Sequence, residues 1–225
     1  MSNPQAGSVP ARRSFLARLA GGIGAGSAAL AFPNAAAAQS SGPFTAARHA
    51  ADDWLDTLGT QHRFVFDTTT TPAFSDALRF ANNFLVASQT GYGLKDSDSG
   101  VVIVARHFST PYAYNDAMWA KYGLTLTTFA NSSAPAGTGP ATNPFNGPST
   151  VDVVVGALVK RGAHFAVCGM ATRFIAGQVA KATGGNADTI YAEIVANLVP
   201  NAHLMAAGIL AVNRAQERGY TLATA

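Results

Sequence analysis

The chain has 225 residues, of which 48% are hydrophobic and only 12% charged, with 15 Lys+Arg against 12 Asp+Glu. Soluble proteins carry about 25% charged residues, so this apolar composition excludes a disordered chain, and the length suits one domain with a sizeable core. The net charge of +3 is local: Arg12, Arg13 and Arg18 all fall in the first 38 residues, which hold no Asp or Glu, and removing them leaves 12 basic groups against 12 acidic ones. A balanced remainder has no footprint for a polyanion, which argues against nucleic-acid binding and against a polybasic contact with membranes.

In chain order, residues 11–18 read Ala-Arg-Arg-Ser-Phe-Leu-Ala-Arg, then come an uncharged Gly- and Ala-rich run from Leu19 to Phe32 and a small-residue exit, Pro33-Asn-Ala-Ala-Ala-Ala38-Gln39. Basic end, apolar middle and small-residue exit are the three parts of an export signal. The paired arginines and mildly apolar middle resemble the twin-arginine class, whose passengers cross the membrane folded. Residues 1–38 are therefore read as a twin-arginine signal peptide cleaved after Ala38. Its middle is too short to span about 30 Å of hydrocarbon, so the mature chain is expected in the periplasm with no stable membrane anchor.

Residues 39–62 read as a linker and an N-terminal helix over Phe44–Leu58, and 63–225 as an α/β domain. Arg63–Asp67 is a short apolar run suited to a buried strand, followed by a helix from Ala73 to about Ser88 with Pro72 at its start. Val101–Ala105 is apolar without alternation, as in a parallel strand covered on both faces. Helical spacing follows over Pro111–Tyr122 with a turn at Gly123, and Asn115 and Asp116 read as capping residues. The aromatic group Phe108, Tyr112, Tyr114, Trp119 and Tyr122 reads as core packing or a subunit interface. Thr127–Thr150 is the longest irregular stretch, a pattern that in compact domains marks a lid or an oligomer contact.

Further helices are predicted over Val151–Arg161, Gly169–Thr183, Ala187–Leu198 and Ala206–Arg218, and strands over Ala163–Cys168, Ala202–Met205 and Tyr220–Thr224. Gly162, Gly184 and Gly219 sit where left-handed caps belong. About five short strands alternating with helices predict a single-domain three-layer α/β sandwich around a roughly five-stranded parallel sheet.

In such sheets reactive groups gather at the carboxyl ends of the strands. Asp67–Thr71, Arg106–Pro111 and Cys168–Arg173 all fall there. Cys168 is the only cysteine, so an exported chain has no internal disulfide partner for it. At a strand-to-helix junction the thiol meets the free N–H groups and positive end of the helix, an environment that favours the reactive thiolate. Arg173, one turn on, is a candidate charge stabiliser, and His107 a candidate base. The plainer alternatives are that Cys168 is a small apolar filler and that His107, His164 and His203 are structural. No pair of these has a ligand-like spacing, so no metal site is expected. A haem or metal held by Cys168, His107 or Met170 remains a third reading. No dinucleotide, Walker or serine-hydrolase motif is present, so no cofactor is expected.

A strand entering Cys168-Gly-Met-Ala, preceded by Lys160-Arg-Gly-Ala-His-Phe165 and followed by Ile209–Gly219 and Tyr220-Thr-Leu222, resembles the DsrE/DsrF-like family of small sulfur-handling α/β proteins. The likeness runs from about Arg63 to Leu222 and is strongest toward an exported branch, with Arg106-His107 before Thr110-Pro111 and Asn115-Asp116 shortly after. The resemblance implies a five-stranded parallel sheet, assembly into oligomers, here a homo-oligomer, and a cysteine that passes persulfide sulfur between a donor and an acceptor protein. Only Cys168 matches the family's sulfur-bearing position, and the export signal and the lack of a second thiol depart from its better-known members. The function expected is thus a periplasmic sulfur carrier or sulfurtransferase-type accessory protein. The alternative is a non-catalytic ligand-binding or oligomeric assembly module that keeps the fold.

Overall fold

The computed structural model describes residues 44–132, 139–147 and 153–225. The twin-arginine signal assigned to 1–38, and residues 39–43 of the linker, lie outside the described residues. Within the compact unit Thr45–Ala225, five strands form one sheet in the order β4-β3-β2-β1-β5, with every neighbouring pair parallel. They are β1 (His62–Thr68), β2 (Ser99–Ala105), β3 (His164–Cys168), β4 (Ala202–Met205) and β5 (Thr221–Thr224). The predicted parallel sheet is therefore present, with each of its five strands near the predicted span.

Central strand β2 is buried at all seven positions, because its side chains alternate between two cores. Val101, Ile103 and Ala105 face a large cluster with Phe66, Phe165 and Val167, while Val102 and Val104 face a smaller one with Val65, Ala166 and Met205. A strand covered on both sides has no solvent face, which is why its sequence shows no polar alternation. The large cluster is built with α1 (Thr71–Tyr92), α2 (Asp116–Phe129), α3 (Val155–Lys160), α4 (Gly169–Thr183) and α5 (Ala187–Ala196); the smaller one takes α6 (Gly208–Gln216) and Leu55. These are the outer layers of a three-layer sandwich.

Several elements depart from the sequence expectation. The N-terminal segment forms a 3-10 helix over Ala50–Thr57, not an α-helix over Phe44–Leu58. It is tied down from outside: Tyr220 donates to the Leu55 carbonyl at 2.7 Å, and the buried Arg218 reaches Asp56 at 3.1 Å. The helix predicted over Pro111–Tyr122 divides into a 3-10 segment over His107–Ala113 and α2, whose cap is Asn115 accepting from the Met118 N–H. Gly123 lies inside α2, where Pro140 of the long irregular segment packs against it.

That segment is not wholly a lid. Its first residues belong to α2, and within 139–147 Phe145 joins the core while the buried Asn143 side chain donates to the carbonyls of Tyr112 and Tyr114 at 2.7 and 2.8 Å. Residues 133–138 and 148–152 lie outside the described residues. No helix among the described residues is long and apolar enough to cross a membrane.

Candidate functional site at the carboxyl end of the sheet

Strand register determines which side chains meet at the carboxyl end. Asp67 pairs with Val104 on β2, Ala105 pairs with Val167 on β3, and Cys168 pairs with Met205 on β4. Arg106 continues β2 in an extended conformation, so it and Cys168 occupy the next position on neighbouring strands. Alternation then sets Asp67 two residues after Val65, Arg106 two after Val104 and Cys168 two after Ala166, all on the side of the smaller core.

Cys168 caps α4. Its Sγ accepts from the Ala171 N–H at 3.4 Å, and its carbonyl accepts from Thr172 Oγ1 at 2.9 Å. Thr172 in turn accepts from the Tyr114 hydroxyl at 2.9 Å. The Tyr114 phenol is raised above its ordinary pKa, first by burial against the opposing hydrogen bond to Thr172, and then by the charge of Cys168. It thus stays protonated as a donor. A helix N-terminus favours negative charge within its first turn, and Cys168, only 8% exposed, places its sulfur there.

The Arg106 guanidinium grips Asp67 with two parallel hydrogen bonds, Nε to Oδ1 and Nη2 to Oδ2, both 2.7 Å. Such bidentate pairs combine charge with fixed geometry. The hydrogen bonds to Asp67 raise the Arg106 pKa against the cost of burial, and the charges of Asp67 and Cys168 add to the effect. Arg106 thus follows the strand next to that of Cys168 while its guanidinium is held on Asp67. The sequence placed both residues at strand ends but gave no sign that they pair; opposite charges directly after adjacent apolar runs were the available signal.

The two predicted helpers sit at the rim. His107 is exposed in the left-handed region at φ 55°, with its ring 3.9 Å from that of Phe108. Arg173 is exposed, bonded to Asp188 at 2.5 Å and stacked 3.7 Å above the Tyr191 ring. Among the described residues neither forms a hydrogen bond with Cys168 Sγ. Arg173 nevertheless lines an open cleft of about 390 Å³ with Gly169, Met170, Met205 and Ala206, beside the capped sulfur.

His164 and His203 belong to the opposite part of β3 and β4. Their rings share a hydrogen bond, Nδ1 to Nε2 at 2.8 Å, and His203 stacks on Trp54 at 3.9 Å. Among the described residues no three His, Cys, Asp or Glu side chains are grouped to hold a metal ion. Searches of known protein-family models, curated proteins and solved structures each return no match to this chain.

Proposed function

We propose that the chain is a periplasmic persulfide carrier, a sulfurtransferase-type accessory protein that accepts and passes on sulfane sulfur at Cys168. The observation that carries this reading is the sulfur's seat: Cys168 Sγ caps the N-terminus of α4 and accepts from the Ala171 N–H at 3.4 Å. Both features favour an anionic sulfur, the form that attacks sulfane sulfur and that a persulfide takes. The likeness to DsrE/DsrF-like proteins and the paired arginines of the leader support the sulfur chemistry and the export route.

With thiosulfate as donor the step balances. The Cys168 thiolate attacks the outer sulfur, the new S–S bond forms as the bond to the sulfite sulfur breaks, and sulfite leaves with the electron pair. An acceptor thiolate then takes the outer sulfur from Cys168 and regenerates the thiolate. No external oxidant or reductant enters. Arg173 is the candidate charge stabiliser and His107 the candidate base for this exchange.

After incubation with thiosulfate or polysulfide, the intact protein should gain about 32 Da per sulfur. The gain should reverse with reductant and be missing in Cys168→Ser. No mass increase overturns the reading.

One observation favours the alternative of an assembly module. Phe174 is 57% exposed beside Leu124, Phe108 and Phe129, around an apolar groove of about 730 Å³. An inert thiol together with a sedimentation mass that falls in Phe174→Ser would favour assembly as the function.

A further inference from the structure

We propose that the open edge of β4 is a self-pairing surface, on which a second copy of this chain adds its own β4 in antiparallel orientation and so doubles the sheet. The interface is independent of the sulfur-carrier reading and lies apart from the Phe174 groove.

Strand β4 ends the sheet, with β3 on one side and no strand of the described residues on the other. The ladder to β3 decides which of its backbone groups face outward. The Phe165 N–H donates to the Asn201 carbonyl at 3.0 Å, and Phe165 stands opposite Ala202. In that register the N–H and carbonyl of His203 and the N–H of Met205 turn to β3. The Met205 carbonyl also points inward, toward Gly169, where an added Cβ would lie 2.8 Å from it. Left on the open side are the Ala202 carbonyl, the N–H and carbonyl of Leu204, and the Ala206 N–H. None of these groups makes a hydrogen bond to the described residues, and Leu204, 37% exposed, and Ala206 both reach solvent.

This set of donors and acceptors is complementary to itself. A two-fold axis at Leu204 sets that residue opposite Leu204 of the second copy, each N–H donating to the other's carbonyl. The same axis brings the Ala206 N–H of each copy to the Ala202 carbonyl of the other. Every outward group on both edges then has a partner in one closed contact, the isologous geometry of a dimer.

The side chains suit the same occupant. Open edges are ordinarily guarded by charges, proline or bulges, whereas the run from Asn201 to Leu210 holds no Lys, Arg, Asp, Glu or Pro. Leu204 would meet its own copy across the axis, beside Met170, which is exposed and lines the same cleft. The nearest charges are already compensated, Arg173 by Asp188 and Arg214 by Asp52 and Glu217. Two copies therefore approach without uncompensated like charge.

Sedimentation of the full chain at micromolar concentration should give twice the monomer mass. Leu204→Lys sets two cations directly opposite one another and should return the mass to that of the monomer. Leu204→Pro should do the same, because it deletes a donor of the open side and leaves the ladder to β3 intact. Phe174→Ser should leave the dimer unchanged. Circular dichroism confirms that each variant is folded; if Leu204→Pro is not, Leu204→Lys decides. Register is read by cross-linking in the Cys168→Ser background. Residues facing across a hydrogen-bonded antiparallel pair have Cα atoms about 5.5 Å apart, within the span of a disulfide. Leu204→Cys should thus cross-link to itself on mild oxidation, and Ala202→Cys should cross-link to Ala206→Cys when the two proteins are mixed. A monomeric unsubstituted chain, a dimer that survives Leu204→Lys, or a dimer lost in Phe174→Ser alone overturns the proposal. Loss of persulfide formation with the dimer intact overturns only the carrier reading.

Discussion

Trp119→Ala should cost about 3–5 kcal/mol of folding stability, the range for emptying a buried aromatic site, and should lower the thermal midpoint by on the order of 10 °C. Trp119 is 1% exposed and lies nearly parallel to Tyr112 at 5.6 Å, with Tyr112 set edge-on to Phe145 at 4.6 Å. Its indole N–H donates to the Pro111 carbonyl at 3.0 Å. The loss therefore has two parts, a cavity and one of the two hydrogen bonds that the Pro111 carbonyl accepts, the other coming from the Tyr114 N–H at 3.0 Å. Trp119→Phe refills most of the volume and keeps the stacking but removes one of the two donors to Pro111, so it should cost on the order of 1 kcal/mol. Urea titrations of the three proteins check the ordering. Equal midpoints for Trp119→Ala and the unsubstituted chain would show that the aromatic block does not hold the core. The block also anchors the far end of the 3-10 segment His107–Ala113, which begins directly after Arg106. Loosening it should therefore slow sulfur loading as well as weaken the fold.

These aromatic residues mark how far the sequence could be read. Core packing was one of the two readings offered for Tyr112 and Trp119, and Phe145 was not singled out. The division of the segment into a 3-10 piece and α2 was not legible, because Pro111 imitates a helix start. The working cap is Asn115, whose peptide N–H bonds to the Asn197 carbonyl at 2.9 Å, a contact made across the fold. By contrast α4 was read at its observed limits, since its signals are local: Cys168 and Gly169 at the strand end, and Gly184 left-handed at φ 71°.

The site divides along the same line. That Asp67, Arg106 and Cys168 share the carboxyl end of the sheet follows from three apolar runs ending where they do. That Arg106 turns to Asp67, while Arg173 turns to Asp188 and Tyr191, depends on rotamers and on Gly208 of α6 lying against the Arg106 stem. No spacing rule contains that information. The long irregular segment was legible only as irregular; the packing of residues 139–147 into the fold, with Asn143 bonded to two carbonyls, is a tertiary fact.

Acid should weaken the protein through the histidine pair at the other end of β3 and β4. One ring must donate and the other accept in the 2.8 Å bond between His164 and His203, so the contact fails once both carry two protons. Burial lowers the pKa of His164. For His203, burial and then the neighbouring His164 lower it from 6.5 to about 4. A group with a depressed basic pKa binds fewer protons folded than unfolded, so the stability it confers is present above about pH 6.5 and is lost as pH falls toward 4.

The charged groups on the 3-10 helix that packs here do not relieve the cost. Asp56 is paired with Arg218, Asp52 lies 3.8 Å from Arg214, and Asp53 is 4.0 Å from Arg218. The pair should account for a loss on the order of 2–3 kcal/mol between pH 7 and 4. His164→Phe with His203→Phe keeps flat rings against Trp54 and removes the titration, so its stability should fall by that much less over the same interval. Parallel pH curves for the two proteins would refute the assignment. Trp54 supplies a local readout, since the chain has two tryptophans and Trp119→Phe leaves Trp54 as the only one. Its emission should change over the interval in which His203 gains its proton, ahead of global unfolding, as the stacked ring becomes charged and the 3-10 helix loses its hold on the sheet.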